Sequence, residues 1–433
     1  MSNNKDSDED CLFLNIWSRT TQEKNPVMVY IHGGGYAGGA GSQDFYHGHH
    51  LAYHQSVVVV TINYRLGAFG YIHFHNLPES QGRFDSNCGL RDQVASLRWI
   101  KENIEAFGGN PNNVTIFGES AGGNAVTTLM AVPSAKGLFH RVISQSSPAF
   151  AIMNKKWSVF AATEFVQNYL KINNLLDVLS MDWKQIIDAL KTYCDDMTIK
   201  LPGMMALCPC IDHDFLPVNP VDAVRNGSCP GVPLLIGFTK DEATLFSRLA
   251  SITGKNVLVC TTPQVDKFFE NNPHLDKEKF MSCYRSIHAS EYLNRFGADM
   301  AFNIPAIQFA EAHSAHAPVY MYRYDFVSIV QRMTYLGAAH MMEVPFIFGT
   351  VYVGLFKYMY YLSNANNVSA LLNRMQGAWA CFARSGDPGV EDWMRYTTDN
   401  RCTKIFNNND QVEYDVQEKE RGLWDGVSFY QKE

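Results

Sequence analysis

A serine hydroxyl is a weak nucleophile unless a base takes its proton and a third group orients that base. Ser120 sits in the stretch FGESAGG, residues 117–123, with glycines two positions away on either side. By composition alone the pattern is inexpensive: a chain of this length yields roughly 0.15 chance matches to Gly-x-Ser-x-Gly. Context raises its value. Before it stands the apolar run VTIF, and after it AGGNAVTTLMAV, which is small and compatible with a helix. A strand, a tight turn through small residues and then a helix is what a nucleophile elbow requires. The turn strains the serine backbone, and side chains in place of the flanking glycines would collide. A second motif, His32-Gly33-Gly34-Gly35, follows the run VMVYI. Three glycines in a row let backbone N–H groups approach a substrate oxygen, and the HGGG loop is half of an oxyanion hole. A flexible glycine-rich loop is the plainer alternative.

In that chemistry an acid and then a histidine follow the serine along the chain. The acid belongs after the run VPLLIGF, where Asp241 and Glu242 are adjacent and spacing does not separate them. The best-placed histidine is His340 in GAAHMMEVPF; His313 and His316 read as residues of an ordinary helix face. A separate group, HGHHLAYH, holds His47, His49, His50 and His54. It could bind a metal. With no carboxylate or cysteine at ligand spacing, a surface loop is expected and no metal or other cofactor is called for.

The elements that must hold these residues follow from the apolar runs. Val27–Ile31, Val57–Ile62 and Val114–Phe117 are β-branched or aromatic and do not alternate with polar residues. Such runs suit strands buried on both faces of a parallel sheet. Between the second and third, Leu90, Val94, Leu97, Ile100, Ile104 and Phe107 recur at helical spacing, and Gly108-Gly109 marks a stop. Strand, helix, strand argues an α/β fold with right-handed crossovers. Val232–Phe238 and Pro318–Phe326 read as further strands, and Asn367–Ala383 as a helix. The reading is one domain over residues 1–433, with helical insertions at roughly 150–230 and 245–315.

The whole chain sets outer bounds. It has 433 residues, 46% hydrophobic and 18% charged, with a formal net charge of −7. No basic stripe points to a nucleic-acid partner. No apolar run approaches the 18 or more residues that span a bilayer. The N-terminus is polar and acidic and lacks the basic start and apolar run of a signal peptide, so a cytoplasmic location is expected. The ten cysteines have no regular spacing and are expected to be reduced and structural.

Taken together, DEDCLFLNIW, PVMVYIHGGGYAGG, VVVVTINYRLGAFGY, the stretch from NCGLRDQVASLRWIKENIEAFGGN to TIFGESAGG, GVPLLIGFTKDEATLF and AAHMMEVPFIFG closely resemble the type-B carboxylesterase family. The likeness runs from residue 8 nearly to LWDGV. It implies an α/β-hydrolase fold, a mostly parallel central sheet flanked by helices, and hydrolysis of small-molecule carboxylic esters through an acyl-enzyme. Carried over by position, it makes Ser120 the nucleophile, Glu242 rather than Asp241 the acid, and His340 the base. It places oxyanion donors at the N–H groups of Gly34, Gly35 and Ala121, and it pairs Asp10 with Arg65 as a structural ion pair. Non-catalytic relatives, which serve in binding or adhesion, typically lose a triad member; all three are present here. A truncated product with impaired activity is the other alternative.

Four departures stand out. The chain starts almost at the family's first motif, so its N-terminus looks truncated and the strand holding Leu12, Leu14 and Ile16 is expected at a sheet edge. Cys11 matches a cysteine that animal members pair with one further upstream. Met341 follows the histidine where the family usually has glycine. Tyr46-His47-Gly48 replaces a Tyr-Asp-Gly. Phe246, Met341 and Met342 are the expected pocket walls.

Overall fold

The computed structural model describes residues 7–253, 258 and 260–427. Nine strands form one sheet: β1 (Leu14–Trp17), β2 (Asn25–Ile31), β3 (Val58–Ile62), β4 (Gly109–Glu119), β5 (Arg141–Gln145), β6 (Leu234–Thr239), β7 (Val319–Tyr324), β8 (Cys402–Phe406) and β9 (Gln411–Tyr414). Their spatial order is β1-β3-β2-β4-β5-β6-β7-β8-β9. β2 to β8 run parallel, and β1 and β9 close the two ends antiparallel. This is the mostly parallel, helix-flanked sheet of an α/β-hydrolase.

The lack of polar alternation in the apolar runs has a direct explanation. Val27, Val29 and Ile31 of β2 face one core with Val58, Val60, Leu90, Val94 and Leu97. Met28 and Tyr30 face the other, with Val59, Phe117, Phe348 and Trp379. Successive side chains point to opposite faces, and here both faces are covered by helices, Cys88–Asn103 on one side and Ala365–Ser385 on the other. Phe107, which falls at the same helical spacing, is partly exposed beyond the end of the Cys88–Asn103 helix.

Between β5 and β6 lie the helices Lys155–Glu164 and Trp183–Lys200, and between β6 and β7 the helices Glu242–Thr253 through Ile304–Ser314. The expected strand at the N-terminus is β1, and it is the terminal strand of the sheet on that side; Leu12 and Phe13 just before it are exposed. Arg65 does not pair with Asp10. Its Nε and NH2 grip both oxygens of Asp92 at 2.8 and 2.7 Å, and Asp92 Oδ2 also accepts the Arg65 N–H. Asp92 is buried on the Cys88–Asn103 helix whereas Asp10 is exposed, so the deeper carboxylate holds the guanidinium. His313 is fully buried, with Nε2 at 2.8 Å from the Val232 carbonyl, and is not an ordinary surface-helix residue; His316 is exposed just past the helix end.

Candidate active site

The carboxyl ends of β2, β4 and β6 converge, as ligand sites in parallel sheets do. Ser120 follows β4 with φ 59 and ψ −122, an unusual backbone for a residue with a side chain, and caps the Ala121–Leu129 helix. Its N–H donates to Gln145 O at 2.9 Å, and its own carbonyl accepts Asn124 N–H at 2.9 Å. The flanking glycines are sterically required. A Cβ on Gly122 would overlap the Ile31 carbonyl, and one on Gly118 would stand 2.7 Å from that same oxygen.

Glu242 opens the helix after β6 and is completely buried. Its Oε1 accepts Thr239 N–H at 2.7 Å and Ser146 Oγ–H at 2.6 Å, and its Oε2 lies 2.5 Å from His340 Nδ1. That geometry separates the two adjacent acids, which spacing could not. Asp241 faces away and receives the Ala338 N–H and Arg295. The rings of Phe302 and Phe246 pack beside the imidazole, with centroids 4.7 and 5.1 Å from it.

The other imidazole nitrogen, Nε2, sits 2.9 Å from Oε1 of Glu119, a charge contact with no hydrogen bond completed to that oxygen. Burial opposes a charged imidazole, but Glu119 and Glu242 together outweigh it and hold His340 well above the ordinary histidine range. A third carboxyl, Glu343, is wholly buried. Desolvation, then the charges of Glu119 and Glu242, push it up to about 8, while Gln145 Nε2 donates to its Oε1 at 3.1 Å. Sequence reading passed over Glu119, Ser146, Phe302 and Glu343. Glu119 was visible inside the elbow motif and Glu343 three residues past His340; nothing in the sequence brings Ser146 or Phe302 near.

Gly34, Gly35, Ser120 and His340 line one cavity of about 710 Å3, mostly apolar, with Phe246, Leu249, Met300 and Phe302 from one insertion and Met204 and Met205 from the other. Gly34 has φ 111 and Gly35 φ 62, backbone that side chains rarely adopt. Ala121 is buried and begins the helix behind Ser120, where main-chain N–H groups lack intrahelical partners. Phe246 and Met341 line the cavity as expected. Met342 does not: it is buried in the core with Tyr30, Phe348 and Trp379. His49, His50 and His54 lie in a short helix, His49–Gln55, rather than a surface loop, and His50 packs beside His54 with ring centroids 4.2 Å apart. Among the described residues no group of three or more His, Cys, Asp or Glu could hold a metal ion, and no helix is long and apolar enough to cross a membrane.

The sequence pattern described as the Carboxylesterase family matches residues 1–424. A para-nitrobenzyl esterase of Bacillus subtilis (strain 168) is 37% identical over 95% of this chain and 82% of its own length. Carboxylesterase 1C of Rattus norvegicus is 33% identical over 90% of this chain and 71% of its own. The solved structure of a Geobacillus stearothermophilus carboxylesterase superposes with a TM-score of 0.84 at 34% identity, covering 98% of this chain and 87% of that one.

Proposed function

The chain belongs to the carboxylesterase family and hydrolyses carboxylic esters, and on that premise we propose which residues perform the reaction and on what kind of ester. The observation that carries the assignment is the 2.5 Å contact between Glu242 and His340, set on the same cavity as a serine held at φ 59. Ser120 is the nucleophile, His340 the base and Glu242 the acid that fixes the imidazole. His340 Nε2 takes the hydroxyl proton as Ser120 Oγ attacks the ester carbonyl carbon. The N–H groups of Gly34, Gly35 and Ala121 hold the oxyanion, and loss of one such donor costs about 10²–10³ in rate. The imidazolium then protonates the leaving alcohol, and water repeats the sequence to free the acid. The chain's own groups suffice for each of these steps.

The cavity walls favour large, uncharged, apolar esters. Five methionines, Met153, Met204, Met205, Met300 and Met341, line it and adapt to irregular shapes. Its Bacillus relative is named for para-nitrobenzyl esters, and an aryl ester of that size suits this cavity. We read the chain as a single domain whose two helical insertions supply the cavity walls. The test is turnover of para-nitrophenyl esters of rising acyl length by wild type and Ser120→Ala. A variant retaining activity within tenfold of wild type overturns the nucleophile assignment.

A further inference from the structure

Asp241 stands one position before the acid, and the reaction above does not use it. Its backbone N–H donates to Ala338 O at 2.9 Å, and its Oδ2 accepts the Ala338 N–H at 2.9 Å. Asp241 and Ala339 form an isolated parallel bridge. Gly337, at φ 68, passes so close to the carboxylate that an added Cβ would overlap Oδ2. From the other side Arg295 reaches Asp241 Oδ1 at 3.3 Å and the Lys240 carbonyl at 2.5 Å. Thr244 Oγ1 adds a bond to the Leu336 carbonyl. The turn bearing Glu242 and the turn bearing His340 are therefore clasped together, one residue from the acid and two from the base.

We propose that Asp241 is a positioning residue: by clasping the chain ahead of His340 it holds the imidazole against Glu242, and Arg295 anchors that clasp to the helical insertion. The proposal rests on the triad reading above. The clasp lines a separate cavity with Lys240, Thr244, Arg248, Glu291 and Arg295, so its carboxylate is partly open to water and must be held by geometry as well as charge. A clasp that sets the alignment of the base acts on the chemical step more than on substrate binding, and a misplacement of about 1 Å can cost on the order of 10²-fold in rate.

The experiment compares Asp241→Ala and Asp241→Asn with wild type on para-nitrophenyl butyrate. Rates are expressed per site labelled at saturation by an organophosphonate, so that unfolded chains are not counted. Asp241→Ala is expected to lose about 10–100-fold in kcat per labelled site with KM changed less than about threefold. The acidic limb of its pH profile moves to lower pH, because His340 loses its fixed contact with Glu242 while Glu119 still faces it and Glu343 stays nearby. Asp241→Asn, which keeps an oxygen for the Ala338 N–H, regains most of the loss. A folded Asp241→Ala with wild-type kcat per site and an unmoved limb overturns the proposal. Should Asp241→Ala fail to fold, Gly337→Ala decides: crowding Oδ2 is expected to lower kcat per site about tenfold, and an unaltered value overturns the clasp. Wild type that takes no label at Ser120, or His340→Ala that labels as fast as wild type, overturns the triad and the clasp with it. A correctly labelled wild type beside an unaffected Asp241→Ala overturns the clasp alone.

Discussion

Met341 offers the sharpest test of how this site is built. It has φ 73, in the left-handed region, with a half-buried side chain on the substrate cavity beside His340. A left-handed backbone costs an L-residue about 1–2 kcal/mol and glycine almost nothing. Glycine in turn loses about 0.4–1 kcal/mol through its freer unfolded chain. Met341→Gly and Met341→Ala discard nearly the same packing, so that term cancels between them. The balance leaves glycine more stable than alanine by about 0.5–1 kcal/mol, the reverse of the order at ordinary positions. In a chain of this length that difference is worth on the order of 1 °C in melting temperature. Replicate thermal melts of the two variants resolve it, and alanine melting above glycine would refute the reasoning. Met342, buried in the core, serves as the contrast, since its truncation to alanine is expected to cost about 2–5 kcal/mol. The same Met341→Gly variant clears space next to the imidazole. The ratio of kcat/KM for a bulky over a small acyl ester is expected to rise about tenfold, the scale of one or two methylenes in a pocket.

Further outcomes follow from the buried charges. Glu119→Gln removes one of the carboxylates that raise His340, so the acidic limb of kcat/KM is expected at lower pH than in wild type; a limb that stays put or moves upward counts against the 2.9 Å contact. Glu343 ionises near 4.5 when unfolded and at about 8 when folded, so its contribution is full below 4.5 and is lost as pH rises through 8. Glu343→Gln is therefore expected to gain melting temperature relative to wild type across that window, and parallel curves refute the buried neutral carboxyl. Ser146→Ala breaks the hydroxyl bond to Glu242 Oε1 and is expected to lower kcat by about tenfold with little change in KM, measured with para-nitrophenyl acetate.

Much of the sheet was legible because parallel strands buried on both faces carry dense apolar signals, as in VMVYI, VVVVTI and VPLLIGF. β5, written RVISQ, escaped because two of its five residues are polar side chains serving the site: Ser144 bonds the Gly123 carbonyl and Gln145 reaches Glu343. β8 and β9 escaped for a related reason, since CTKIF and QVEY are short and hold charged or polar residues. Elbow and glycine loop were readable because each needs particular residues at fixed spacing on one stretch of chain. Glu242 and Asp241 could not be told apart by spacing, since the difference lies in which way each carboxylate turns after β6. Ser146 and Phe302 lie far along the chain from the residues they touch, and only folding brings them together.

On the proposed triad, Nε2 of His340 cannot both face Glu119 and accept the Ser120 proton, so the charge contact at 2.9 Å would have to give way before the serine is activated. While it holds, two carboxylates stabilise the imidazolium and hold its pKa above the ordinary histidine range. A general base works best with its pKa close to the working pH, because each unit above it removes about tenfold of the neutral form. A bound ester that draws the imidazole from Glu119 toward Ser120 takes away one of those carboxylates and lowers the pKa toward that optimum. It leaves Glu242 on Nδ1 to stabilise the charge that forms during attack. The neutral state that burial imposes on Glu343 limits the negative charge around the oxyanion to what the imidazolium can offset. On the proposed triad, binding of substrate and release of the base would then be one event.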